Sequence, residues 1–211
     1  VQEAGMINFD SRNIYAKWVN DMIDAQEADG NVPGIVPTSW HWDSNWAGPM
    51  WDAAIFITPH LLYQYSGDTR AIETIYPAAK RYLEYLQTRE EANGTINHGL
   101  GDWLFYKAQT PVDFMATCFY YWDNVLMAQM ARLTGREPEA APYEAKAEKL
   151  KVLINELFFD PEKVCYSNGT QLSYALPLYV GIVPEQYEKR LAENPVSYTH
   201  LRAHETLMNL V

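Results

Sequence analysis

Between Gly30 and Asp52 the chain reads GNVPGIVPTSWHWDSNWAGPMWD. Four of its seven tryptophans fall here, at Trp40, Trp42, Trp46 and Trp51, interleaved with His41, Asp43, Asn45 and Asp52. Indole faces beside carboxylates and amides suit a sugar, whose C–H faces stack on rings while its hydroxyls take hydrogen bonds. The bland alternative is a hydrophobic plug folded over the domain. A second cluster, GLGDW from Gly99 to Trp103, adds Asp102 and Trp103, and a third runs from Asn168 to Tyr174. The candidate sugar contacts are therefore His41, Trp46, Trp51, Asp52, Asp102 and Trp103. Asp52 reads equally well as an N-cap of the helix that follows it. Gln171 and Tyr174 read as packing or loop-anchoring residues, and His60, within an apolar run, as a satisfied core histidine.

These residues need elements to position them. Gly30, Pro33, Gly34, Pro37, Gly48 and Pro49 break both helical and strand periods, so the first cluster is expected to be a long loop. Such loops are uncommon in compact domains and tend to be functional. Before it, apolar spacing at Tyr15, Trp18, Met22 and Ala25 predicts an amphipathic helix over 11–27. After it, residues 52–65 predict a helix that is apolar nearly all round. Gly67 suits a left-handed helix end, and Asp68 can cap the helix predicted over 69–88. Thr110-Pro111-Val112-Asp113 opens a fourth helix with Thr110 as cap and Pro111 at the first position, running to about Leu133. An amphipathic helix over 138–158, an apolar one from about Gln171 and a start at Val183-Pro184-Glu185 complete the series.

Amphipathic and apolar helices thus alternate, and so do long and short joints. Short joints make antiparallel neighbours, so every long connection falls at one end, above the N-termini of the apolar helices. The expected fold is all-α: a partial (α/α)6 toroid with an inner ring of apolar helices and an outer ring of amphipathic ones, about half of it present. A helical-repeat solenoid is the competing layout, but no self-similar period is visible.

The chain has 211 residues, 48% hydrophobic and 20% charged, with a formal net charge of −11. That acidity argues against nucleic-acid partners and is compatible with neutral glycans. No apolar run is long enough to span a membrane. Cys118 sits in an apolar helical pattern and reads as a buried thiol, and two cysteines cannot build a metal cluster. No metal or cofactor is expected. Compartment and oligomeric state are not encoded here.

Val196 to Thr206 reads VSYTHLRAHET, which matches, in one reading frame, the translation of a transposase-type sequencing-library adapter. The domain is accordingly expected over 1–195, with 196–211 a non-native tail. His200 and His204, spaced as zinc ligands on a helix, fall within that tail.

The order DG.VPGIVPT, NWAGPMWDAA, LLYQYSGD, GLGDW, TPVDFMATCFYY and TQLSYALPLYVGIVPE resembles the catalytic barrel of bacterial α-L-rhamnosidases of glycoside hydrolase family 78. The resemblance implies a six-hairpin barrel and an inverting hydrolysis that releases L-rhamnose. Many members carry W-G-D-A where this chain has Trp51-Asp52-Ala53-Ala54, so the match at Asp52 shifts by one position. The resemblance places the general acid upstream of Val1 and the general base downstream of Pro195, so no catalytic residue is assigned. Trp46, Trp51, Asp52, Asp102 and Trp103 would then be wall and floor of the sugar subsite. Another toroid glycosidase, trehalase-like or debranching-like, is one alternative; a non-catalytic glycan-binding helical module is the other.

Overall fold

The computed structural model describes residues 2–38, 46–103, 105 and 108–199, the last six as backbone only. Its main elements are α2 (Arg12–Ala25), α4 (Ala54–Ser66), α5 (Arg70–Gln87), α6 (Val112–Leu133), α7 (Glu137–Phe158), α8 (Gln171–Val180) and α9 (Glu185–Thr199). Two short helices, α1 (Gln2–Asn8) and α3 (Pro49–Asp52), and a two-residue antiparallel pair, β1 (Phe159–Asp160) with β2 (Cys165–Tyr166), were not expected.

Three helical hairpins follow one another, α4/α5, α6/α7 and α8/α9, each closed by a short joint. Helix α6 lies between α4 and α8, while α2 and α5 pack behind α4, and α7 packs behind α6. The inner row is therefore α4–α6–α8, as the alternation of apolar and amphipathic helices predicts. At the α4/α5 joint Gly67 adopts φ 70°, a conformation that side-chain-bearing residues rarely accept. The Asp68 carboxylate accepts the Arg70 N–H at 3.0 Å, satisfying one of the free donors at the start of α5.

Helix α6 carries the core. Phe114, Met115, Cys118, Tyr120, Met127 and Met130 are all fully buried along it, and each large apolar side chain contributes about 1.5–3 kcal/mol. Helix α5 presents Ile72, Ile75, Ala79, Leu83 and Leu86 to it as one stripe. Cys118 and Cys165 are both buried free thiols. Among the described residues no helix is long and apolar enough to cross a membrane.

Three local expectations are corrected. Helix α4 is not covered all round: Tyr65 is exposed, with its hydroxyl donating to Glu3 of α1 at 2.8 Å, and Tyr179 on α8 is exposed as well. The second predicted helix does not start at Asp52. Asp52 ends α3, and Ala53, with no side-chain cap bond, precedes α4. Thr110 does not cap α6. Pro111 occupies that position, and the Thr110 hydroxyl is spent elsewhere, on Thr170 at 2.6 Å.

Candidate functional site

The long connections meet at the N-terminal ends of the inner helices, and they are joined in series. The segment before α3 meets the GLGDW segment backbone to backbone: Leu100 N–H donates to Ala47 O at 2.9 Å. The approach is so close that a Cβ on Gly48 would lie 2.6 Å from Gly99 Cα, and Gly48 also has φ +76°. Glycine is required there on both counts. The GLGDW segment is tied in turn to the segment before α8. Gln109 Nε2 donates to Asp102 O at 3.2 Å, and Asn168 Nδ2 donates to Gln109 O at 2.8 Å. Thr110 and Thr170 share a hydroxyl hydrogen bond, and Thr170 accepts the Ser173 N–H as the cap of α8.

This stitching brings Trp51 and Trp103 together from segments fifty residues apart. Their ring centroids lie 6.4 Å apart at an interplanar angle of 67°, an edge-to-face pair. Trp51 Nε1–H donates to Gly101 O at 3.1 Å, which fixes the indole. Trp51 remains 40% exposed and Trp103 61%, so large aromatic surface is left open at this end of the molecule. Phe105, two residues after Trp103, is exposed as well. Trp46 is half-buried and lies against Gly34, where a Cβ would come within 3.1 Å of the indole ring.

Asp102, next to Trp103, is half-buried. Burial raises its carboxyl above the ordinary range, against the pull of Thr110. Asp52 is different. Its carboxyl is 4% exposed and points into the interior, where Tyr82 Oη–H donates to Oδ2 at 3.1 Å and Oδ1 has no partner among the described residues. Burial pushes it up to about 8, opposed by the Tyr82 hydroxyl and the Gly48 backbone amide. Asp52 therefore supports the aromatic surface from beneath and does not line it, and it does not cap α4 either. His41 lies outside the described residues, as do Trp40, Trp42, Asp43 and Asn45. His60 is not a satisfied core histidine. It is half-buried, its Nδ1 has no hydrogen bond among the described residues, and burial lowers its affinity for a proton. Tyr174 does anchor a loop, through a side-chain hydrogen bond to Cys165.

Sequence reasoning missed Tyr82 and Asp123. Asp123 is fully buried on α6 with neither carboxyl oxygen partnered among the described residues, and burial together with the charge of Asp52 raises it well above the ordinary carboxylate range. The available signal was a carboxylate inside the aromatic run FYYWDNVLM. Among the described residues no group of acids, histidines and cysteines has a metal-binding arrangement.

Residues 1–206 match the family described as the bacterial alpha-L-rhamnosidase six-hairpin glycosidase domain. The chain belongs to that family. Within it, an α-L-rhamnosidase of Streptomyces avermitilis is 29% identical over 189 residues, covering 89% of this chain and 18% of the relative. One from Alteromonas sp. strain LOR is 28% identical, covering 90% of this chain and 22% of the relative. The chain thus spans about a fifth of the length of these rhamnosidases. Among solved structures, an α-L-rhamnosidase from Dictyoglumus thermophilum superposes with a TM-score of 0.83 at 26% identity, covering 96% of this chain and 23% of that one. The S. avermitilis α-L-rhamnosidase complexed with L-rhamnose superposes with a TM-score of 0.81 at 28% identity, covering 92% and 18%. The hairpins described above are therefore part of a six-hairpin glycosidase fold.

Proposed function

We propose that this chain forms part of the sugar-binding half of an α-L-rhamnosidase barrel, and that the protein carrying it hydrolyses terminal L-rhamnose from glycosides or polysaccharides with inversion. The observation that carries this reading is the pairing of two exposed indoles, Trp51 and Trp103, from separate connections at the open end of the inner row. Membership of a rhamnosidase family supports the substrate class, as does the superposition on a relative described with L-rhamnose bound. Each residue has a role in this reading. Trp51 and Trp103 offer faces for the C–H surface of the sugar, Trp46 walls the cup, and Asp102 accepts hydrogen bonds from sugar hydroxyls. Asp52 backs the cup from below, and His41, which lies outside the described residues, is proposed from the sequence alone as a further hydroxyl contact. A rim of carboxylate and ring faces also favours the positive, oxocarbenium-like transition state of glycoside cleavage. The proton donor and the water-activating base are not assigned to any residue of this chain.

The test is calorimetric titration of the full chain with L-rhamnose, beside Trp103→Ala. The reading expects saturable binding that Trp103→Ala weakens about 3- to 10-fold, the worth of one aromatic contact. Equal affinity in both proteins would refute the cup. Binding by the complete gene product without turnover of rhamnosides would favour a non-catalytic glycan-binding module.

A further inference from the structure

Beneath α3, three polar groups from three helices share an interior with no cation beside them among the described residues. Asp52 ends α3, Tyr82 comes from α5 and Asp123 from α6. Tyr82 is 0% exposed, Asp123 0% and Asp52 4%. The one hydrogen bond within the group among the described residues runs from Tyr82 to Asp52 Oδ2 at 3.1 Å, leaving Asp52 Oδ1 and both oxygens of Asp123 without partners. An ionised carboxylate in such a place is costly unless it is paired or well hydrogen-bonded. Among the described residues no group acting on the site carries a positive charge. The groups are Tyr82 and Tyr85 of α5, the second acid, the Gly48 backbone amide, and Tyr120 of α6, whose own hydroxyl is committed to Glu90; only the Tyr82 hydroxyl and the Gly48 amide favour an ionised Asp52.

The position of Asp52 makes this matter for the site. It directly follows Trp51 in a four-residue helix. The Trp51 indole is held by its hydrogen bond to Gly101 O and its edge-to-face contact with Trp103. A charge on Asp52 has no counter-ion among the described residues, and its neighbour Trp51, one step along α3, is already open to solvent.

We propose that Asp52 and Tyr82 are positioning residues for the aromatic cup: a neutral Asp52 carboxyl, anchored by Tyr82 and backed by Asp123, holds Trp51 against Trp103, and loss of its proton opens the pair. This rests on the reading of Trp51 and Trp103 as a sugar cup only for its consequence in ligand affinity. The mechanical link from Asp52 to Trp51 stands apart from any ligand. The sign follows from the protonation: the pair is closed in acid and opens as pH rises through about 8, where burial places the Asp52 carboxyl. Because the Tyr82 hydroxyl favours the ionised form, removing it moves the opening to higher pH.

The experiment follows the Trp51 indole N–H shift and the Trp51–Trp103 ring contact by NMR from about pH 5 to roughly pH 9.5, a window that brackets the Asp52 transition. It compares the full chain with Asp52→Asn, a neutral isostere, and Tyr82→Phe. L-Rhamnose affinity is measured on the same samples. The expected result is a pH-dependent loss of the ring contact in the unmodified chain, none in Asp52→Asn, and a displaced midpoint in Tyr82→Phe. Affinity should fall at least about 5-fold in parallel, the worth of one aromatic contact, and stay flat in Asp52→Asn. A ring contact that ignores pH, or that Asp52→Asn abolishes at every pH, overturns the proposal whatever the sugar does. Expected ring behaviour with no rhamnose binding in any sample leaves the positioning role standing and removes the sugar cup.

Discussion

Replacing Asp52 by asparagine should change how stability depends on pH, in a direction opposite to that of a salt-bridged acid. The Asp52 carboxyl is raised from 3.8 to about 8 in the folded chain. A raised acid contributes fully below its unfolded value and loses that contribution as pH climbs towards the folded one. At ~1.4 kcal/mol per unit the whole interval is worth roughly 6 kcal/mol, and the part lost between about pH 4 and pH 7 about 4 kcal/mol. The asparagine side chain carries no proton to lose. The difference in stability between Asp52→Asn and the unmodified chain should therefore shift by about 4 kcal/mol in favour of the variant across that same range. Comparing the two pH values cancels the intrinsic effect of swapping hydroxyl for amide. Urea unfolding followed by circular dichroism and by tryptophan emission gives the free energies, provided the two probes coincide. Parallel pH profiles for the two proteins would refute the claim that Asp52 is buried as a neutral acid, as would stability that falls faster with pH in the variant.

Gly48→Ala should lower stability by more than about 2 kcal/mol and detach the GLGDW segment, because its Cβ would sit 2.6 Å from Gly99 Cα at φ +76°. Thermal unfolding with the Trp51 ring contact as a second probe checks both parts. Thr170→Ala removes the cap hydrogen bond of α8 and the hydroxyl pairing with Thr110, and should cost about 1–2 kcal/mol by urea unfolding while Thr170→Ser recovers most of it. Glu90→Gln weakens the part-buried meeting of Lys146 and the Tyr120 hydroxyl, both 2.7 Å from one oxygen, and should make the pin between the 89–109 connection and α7 salt-insensitive in hydrogen exchange.

Much of the architecture could be read from helical period and joint length alone. Gly67 and Asp68 marked the α4/α5 turn because a left-handed end and a capping carboxylate have few other uses. The meeting of Trp51 and Trp103 followed from alternation, since short joints at one end force long ones to the other. Exposure was harder to read. Trp51 and Asp52 are neighbours in sequence, yet a single step along α3 turns one to solvent and the other into the interior, and no loop pattern reveals the sense of that turn. Thr110 looked like a cap because Thr-Pro-x-Asp is a good helix opening. The hydroxyl of Thr170, sixty residues away, made a better partner. Tyr82 and Asp123 were illegible for the same reason: each sits in its own apolar stripe, and only packing of α3, α5 and α6 brings them to one place.

The most direct test of the sugar cup is a titration with L-rhamnose followed by the indole N–H resonances of the chain. Trp51 and Trp103 should shift together and saturably. Trp18 of α2, whose indole N–H donates to Val36 O at 2.8 Å, should stay still. Shifts confined to Trp18 or Trp122, or none at Trp51 and Trp103 at saturating sugar, would contradict the account.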